Sequence, residues 1–152
     1  MLLTQPTRDL TACRLEVELP LKKTLRSLAT IESELNACTD PVMSERLRRE
    51  LRVRRAVGDG QTSKLGCWLW RVGDAFLVGT PAEAYTSFQQ DLRQALAPRP
   101  VVVMNVTNGF RGYLPPAELY ARNLYQVWQT PFDRGSLEIL TATARDCLLG
   151  MS

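Results

Sequence analysis

Between Ala75 and Val106 the chain reads strand, helix, strand, and that order admits few folds. Ala75-Phe76-Leu77-Val78-Gly79 is a short apolar run of strand length. Thr80-Pro81-Ala82-Glu83 then has the form of a helix start: a threonine cap, a proline at the first helical position, and a glutamate where a capping box places one. Tyr85, Phe88, Leu92, Ala95 and Leu96 recur at helical spacing until Pro98 and Pro100 intervene. Val101 to Met104 has the β-branched bias of a strand buried on both faces. The pattern predicts strands 75–79 and 101–106 parallel in one sheet, with helix 81–97 packed on one face. Glu83 and the segment after Met104 then leave the sheet at the same edge, which is where open α/β sheets hold ligands.

The segment leaving the second strand is unusual. Asn108-Gly109-Phe110-Arg111-Gly112-Tyr113-Leu114-Pro115-Pro116 packs two glycines and two prolines into nine residues, which rules out regular structure. It is either a shaped loop at a binding edge or a plain connection whose Tyr113 covers the core. A short helix follows through Glu118, Leu119 and Tyr120, and Tyr125 falls in an irregular stretch. A last helix starts near Ser136, buries Leu137, Leu140, Ala144, Cys147 and Leu148, and stops at Gly150.

Upstream, Leu15, Val17 and Leu19 alternate with charged residues, a strand with one buried face ended by Pro20. From Leu21 the apolar residues change to a helical period through Cys38. Asp40-Pro41 opens a second helix that Gly58-Asp59-Gly60 closes. Lys64 to Val72 reads as a strand with Cys67 and Leu69 on one face and Trp68 and Trp70 on the other. Gly73-Asp74 turns it antiparallel into 75–79. The two tryptophans suit buried aromatic packing better than a sugar platform. The fold class is therefore α/β, a mixed sheet of about four strands with a parallel βαβ unit over 75–106 and flanking helices.

Three exclusions bear on function. The sequence contains no histidine, so a Ser-His-Asp or Cys-His site cannot be assembled from it, nor can an imidazole zinc ligand. The second helix carries Arg46, Arg48, Arg49, Arg52, Arg54 and Arg55, but Glu45 and Glu50 are interspersed and the net charge is only +3. A solvated face fits better than a phosphate-binding one, and nucleic acid is not the expected partner. No run approaches the ~20 apolar residues of a transmembrane helix. MLLTQPTRDLTAC lacks the apolar core of a secretory leader, which leaves the compartment open and leans towards the cytoplasm. Cys13, Cys38, Cys67 and Cys147 show no metal-ligand spacing and read as buried free thiols.

Gly79-Thr80-Pro81-Ala82-Glu83, a helix, a valine-rich strand, then Asn108 to Pro115 with Tyr125 beyond, resembles the neutral/alkaline non-lysosomal ceramidase family, in its bacterial ceramidase-like branch. Members carry P-G-E before a helix and later N-x-Y/F-x-x-Y followed by Y-E. The resemblance is specific over 79–83 and 105–126 and loose elsewhere. It implies that Glu83 and Tyr113 are zinc ligands, beside two histidines from an upstream segment. It also implies that Tyr125 is a catalytic residue that steadies the amide carbonyl during hydrolysis. Zinc accepts carboxylate oxygen, and a divalent cation can drive the proton from a phenol.

The departures are equally specific. P-G-E is Pro81-Ala82-Glu83 here, Y-E is Tyr125-Gln126, and the histidine- and serine-bearing segment is missing. On this reading residues 1–152 are one domain, the carboxyl-terminal portion of a larger ceramidase-type catalytic domain. Its partner is a histidine-bearing segment or companion chain, and its substrate is a lipid-like N-acyl amide. Glu83 retains a helix-capping alternative, and Tyr125 that of a core tyrosine. The function has one too, a non-enzymatic α/β binding or interaction module on the same scaffold.

Overall fold

A computed structural model describes residues 9–151. Its frame is a four-stranded mixed sheet in the order β1-β2-β3-β5. β1 (Leu10–Pro20) and β2 (Thr62–Val72) pair antiparallel along their whole length, from Leu10 opposite Val72 to Pro20 opposite Thr62. Gly73, at φ +58°, begins the two-residue turn into β3 (Ala75–Gly79). β5 (Val101–Met104) lies parallel to β3, with Phe76 opposite Val101 and Gly79 opposite Met104. The parallel pair and its helical crossover are as the sequence pattern requires.

The crossover helix α3 (Thr86–Leu96) buries Phe88, Leu92 and Leu96, one face at a spacing of four. Beside it α5 (Ser136–Gly150) lies across β1 and β2 and buries Leu137, Leu140, Ala144 and Leu148. Against these helices the sheet turns Val17, Leu19, Leu65, Cys67, Leu69, Phe76, Val78 and Val101, which form the main core. Trp68, Trp70, Leu77 and Val102 alternate onto the opposite face. The tryptophans are thus half-buried on that face rather than core residues; the Arg14 guanidinium stacks 5.8 Å from the Trp68 ring centroid.

α1 (Leu28–Ala37) and α2 (Pro41–Val57) form a helical hairpin with its own small core of Ile31, Leu47 and Leu51. Asp40 caps α2 as its position before Pro41 demands, accepting from Val42 N at 2.7 Å and Met43 N at 2.9 Å. Four of the six arginines of α2 are engaged internally: Arg49 and Arg52 with Glu45, Arg55 with Glu32, and the buried Arg54 with Asp59 at 3.0 Å. No helix among the described residues is long and apolar enough to cross a membrane.

The structure corrects several element boundaries. The first helix starts at Leu28, not Leu21, because Leu21 N donates to Gln61 O and Lys22 N to Pro131 O, which keeps the chain extended there. Helix 81–97 shortens to α3, and Thr80 and Glu83 form no capping box. Glu83–Ala84 is instead a short strand, β4, parallel to β6 (Tyr113–Leu114). The strand after α3 ends at Met104, since Val106 (φ +58°) and Asn108 (φ +59°) adopt left-handed backbone. Tyr125 does not lie in irregular chain but opens a five-residue helix, α4 (Tyr125–Gln129).

Candidate functional site

Two loops leave the carboxyl ends of the parallel strands, 80–85 after β3 and 105–114 after β5, and main-chain hydrogen bonds lace them together. Thr107 N donates to Thr80 O, Arg111 N to Pro81 O, Val106 N to Ala82 O, Glu83 N to Gly112 O and Tyr85 N to Leu114 O, all at 2.8–3.2 Å. The Asn105 amide adds a bond to Ala84 O at 2.9 Å. These cross-links explain why 81–85 is not helical: its amides are claimed by a segment roughly thirty residues away in sequence, and such tertiary pairing overrides local propensity. Val106 is β-branched at positive φ, a strained conformation of the kind that surrounding structure must hold in place.

The lacing sets Glu83 directly opposite Tyr113, and Ala84 opposite Leu114. The Tyr113 hydroxyl lies close enough to the Glu83 carboxylate to feel its charge. Its ring meets Tyr125 edge-on at 6.0 Å between centroids and Phe110 edge-on at 6.2 Å. Tyr125 and Phe110 are largely exposed and Tyr113 is half-buried, so this group forms an open rim rather than part of the core. All three residues singled out from the sequence, Glu83, Tyr113 and Tyr125, therefore come together at one place.

Two further participants were hidden. Tyr85 sits close enough to Tyr113 for their charges to interact. In extended chain it shares a side with Glu83, two residues earlier, a relation concealed by reading 81–97 as helix. Thr130 carries no sequence signal. Buried at 1% exposure, its hydroxyl donates to Tyr113 O at 2.6 Å and accepts from Phe132 N at 3.1 Å, anchoring the Tyr113 strand from behind.

Desolvation, followed by the negative charge of Glu83, pushes the Tyr113 phenol above its ordinary value of 10. The phenol therefore keeps its proton beside the carboxylate. We expect Glu83→Gln to lower the Tyr113 midpoint, read as phenolate absorbance in an alkaline titration with Tyr113→Phe identifying the signal; an unchanged midpoint would disprove the coupling. Because the folded phenol holds its proton more tightly than the unfolded one, its contribution to stability is complete below about pH 10 and is lost as the pH rises through the folded value.

As metal donors, Glu83 and a deprotonated Tyr113 offer two hard oxygens on one side of a potential site. Among the described residues no group of three or more cysteine, aspartate or glutamate side chains is placed to hold a metal ion. Two oxygen donors would make only half of a four-coordinate shell. Comparison with protein-family models gives no match, and neither curated proteins nor solved structures match the chain.

Proposed function

We propose that this chain is the carboxyl-terminal part of a ceramidase-like, zinc-dependent amide hydrolase, competent only when a histidine-bearing segment completes the site. The observation that carries the reading is the register pairing of Glu83 with Tyr113, with Tyr125 against the same ring. These are the residues that the ceramidase resemblance marks, and they converge although Glu83 precedes the two tyrosines by 30 and 42 positions. Glu83 and Tyr113 would hold the metal together with imidazoles from the companion. The bound metal would supply Lewis-acid polarisation of the amide carbonyl. Tyr125, exposed at the rim, would donate its hydroxyl to the carbonyl oxygen as charge develops there. Phe110, Tyr113 and Tyr125 give the substrate an aromatic wall suited to a lipid-like amide.

By itself the chain should bind zinc weakly. With two oxygen ligands the metal keeps mostly water, and binding must first remove a proton from a phenol whose loss of that proton is already disfavoured. Calorimetric titration should show weak zinc binding that Glu83→Gln leaves unchanged. Tight one-site binding lost in Glu83→Gln would overturn the half-site reading. For the complete activity, the chain is co-expressed with a histidine-bearing companion and tested on a fluorogenic N-acyl amide. Activity that falls at least about a hundredfold in both Glu83→Gln and Tyr113→Phe is expected, and activity indifferent to both would refute the assignment.

A second reading, a non-enzymatic binding module, is favoured by one observation: among the described residues no group of three or more cysteine, aspartate or glutamate side chains gathers around Glu83 and Tyr113. Failure of every histidine-bearing companion to confer activity, with unchanged folding, would select it.

A further inference from the structure

We propose that Cys13 and Cys147 form a disulfide that fastens the first strand to the last helix. Cys13 lies on β1 opposite Leu69, on the side that faces the helices. Cys147 lies on α5 next to the buried stripe of Ala144 and Leu148, where that helix crosses β1. Their sulfurs are 3.7 Å apart, with the Cys147 thiol directed at Cys13 Sγ across 134 residues of sequence. A disulfide needs about 2.05 Å, a closure within reach of side-chain rotation and a small shift of the helix end. Both residues are half-buried, open enough for a small reagent to reach them.

The other thiols do not compete. Cys67 neighbours the pair but is fully buried, and burial pushes its thiol up to about 12, so it rarely supplies the attacking thiolate. Cys38 packs in the separate core of the α1–α2 hairpin. Burial and the Cys13 contact also raise the Cys147 thiol, which makes exchange faster in mild alkali than at neutrality.

The oxidant is a low-molecular-weight disulfide such as oxidised glutathione. One protein thiolate attacks it and releases one small thiol, leaving a mixed disulfide. The second protein thiolate displaces the other small thiol, so that two protein thiols lose two electrons and two protons and one small disulfide becomes two thiols. Because the bond closes a very long loop, it restricts the unfolded chain more than the folded one.

The folded protein is incubated with oxidised glutathione at about pH 8.5, near the ordinary thiol pKa. It is then mapped by mass spectrometry without reduction and compared by thermal unfolding. The expected result is a monomer lighter by two hydrogen atoms, with a Cys13–Cys147 linked peptide and a Tm higher by roughly 5–10 °C. Cys38→Ser should oxidise like wild type, and Cys147→Ser should gain neither the link nor the Tm increase. A persistent glutathione adduct, a link to Cys67, an intermolecular dimer or an unreacted chain would each overturn the proposal. If Cys147→Ser does not fold, Cys13→Ser and the peptide map of the wild type decide.

Discussion

Gly112→Ala is expected to destabilise the protein by about 2–5 kcal/mol and to loosen the Glu83–Tyr113 pair. The cost has two parts. Gly112 sits at φ +98°, where an L side chain costs about 1–2 kcal/mol. An added Cβ would also lie 2.7 Å from Pro131 Cδ, a contact that the structure must relieve by moving, at about 1–3 kcal/mol. Pro131 has little freedom to yield, because its carbonyl accepts from Lys22 N and Thr130 beside it is buried. The loop must give instead, and with it the Gly112 carbonyl that receives the Glu83 amide. Gly109→Ala is the control: its φ is +132°, but nothing lies within 4 Å of the place its Cβ would take, so only the conformational part applies. Urea unfolding midpoints for the two variants separate strain from collision. Equal losses would mean that the Pro131 contact is not resisting.

The second large effect is expected at Thr130→Val, which keeps the side chain's shape and removes its hydroxyl. Tyr113 O loses its 2.6 Å donor, and Phe132 N, in a fully buried residue, loses its 3.1 Å acceptor. A buried polar group left unpaired costs about 1–3 kcal/mol, so a loss of about 2–4 kcal/mol follows. In thermal unfolding this corresponds to a fall of roughly 4–16 °C for a domain of this size. Thr130→Ser retains the hydroxyl and gives up one methyl, about 1 kcal/mol. A valine variant no worse than the serine variant would show that packing, not hydrogen bonding, holds this corner.

Both substitutions act behind the site; the loop pattern marks Gly112 as a position of special backbone, but nothing in the sequence marks Thr130. What could be read there was periodic. Phe88, Leu92 and Leu96 repeat along a helix, and Leu15, Val17 and Leu19 along a strand, so α3, the inward face of β1 and the parallel β3–β5 pair followed from one chain alone. Topology then placed Glu83 and Tyr113 at one sheet edge. Local signals misled where distant partners outcompeted them. Thr80-Pro81-Ala82-Glu83 has the chemistry of a helix start, yet the Gly112 and Leu114 carbonyls take the Glu83 and Tyr85 amides. Leu21 keeps the helical spacing of its successors, yet pairs with Phe132 across an isolated bridge. Thr130 is one hydroxyl among many until the fold buries it against Tyr113 O.

The short β4–β6 ladder has a consequence for how the polar pair is kept outward. Side chains alternate along a strand, so Glu83 and Ala84 must face opposite ways, as must Tyr113 and Leu114. Leu114 is fully buried and Ala84 nearly so, both within the main core. Sinking Glu83 or Tyr113 would require lifting Ala84 or Leu114 out of that core, which hydrophobic burial opposes. The residues with chemistry are thus oriented by neighbours that have none, and the core acts as the reading frame of the site.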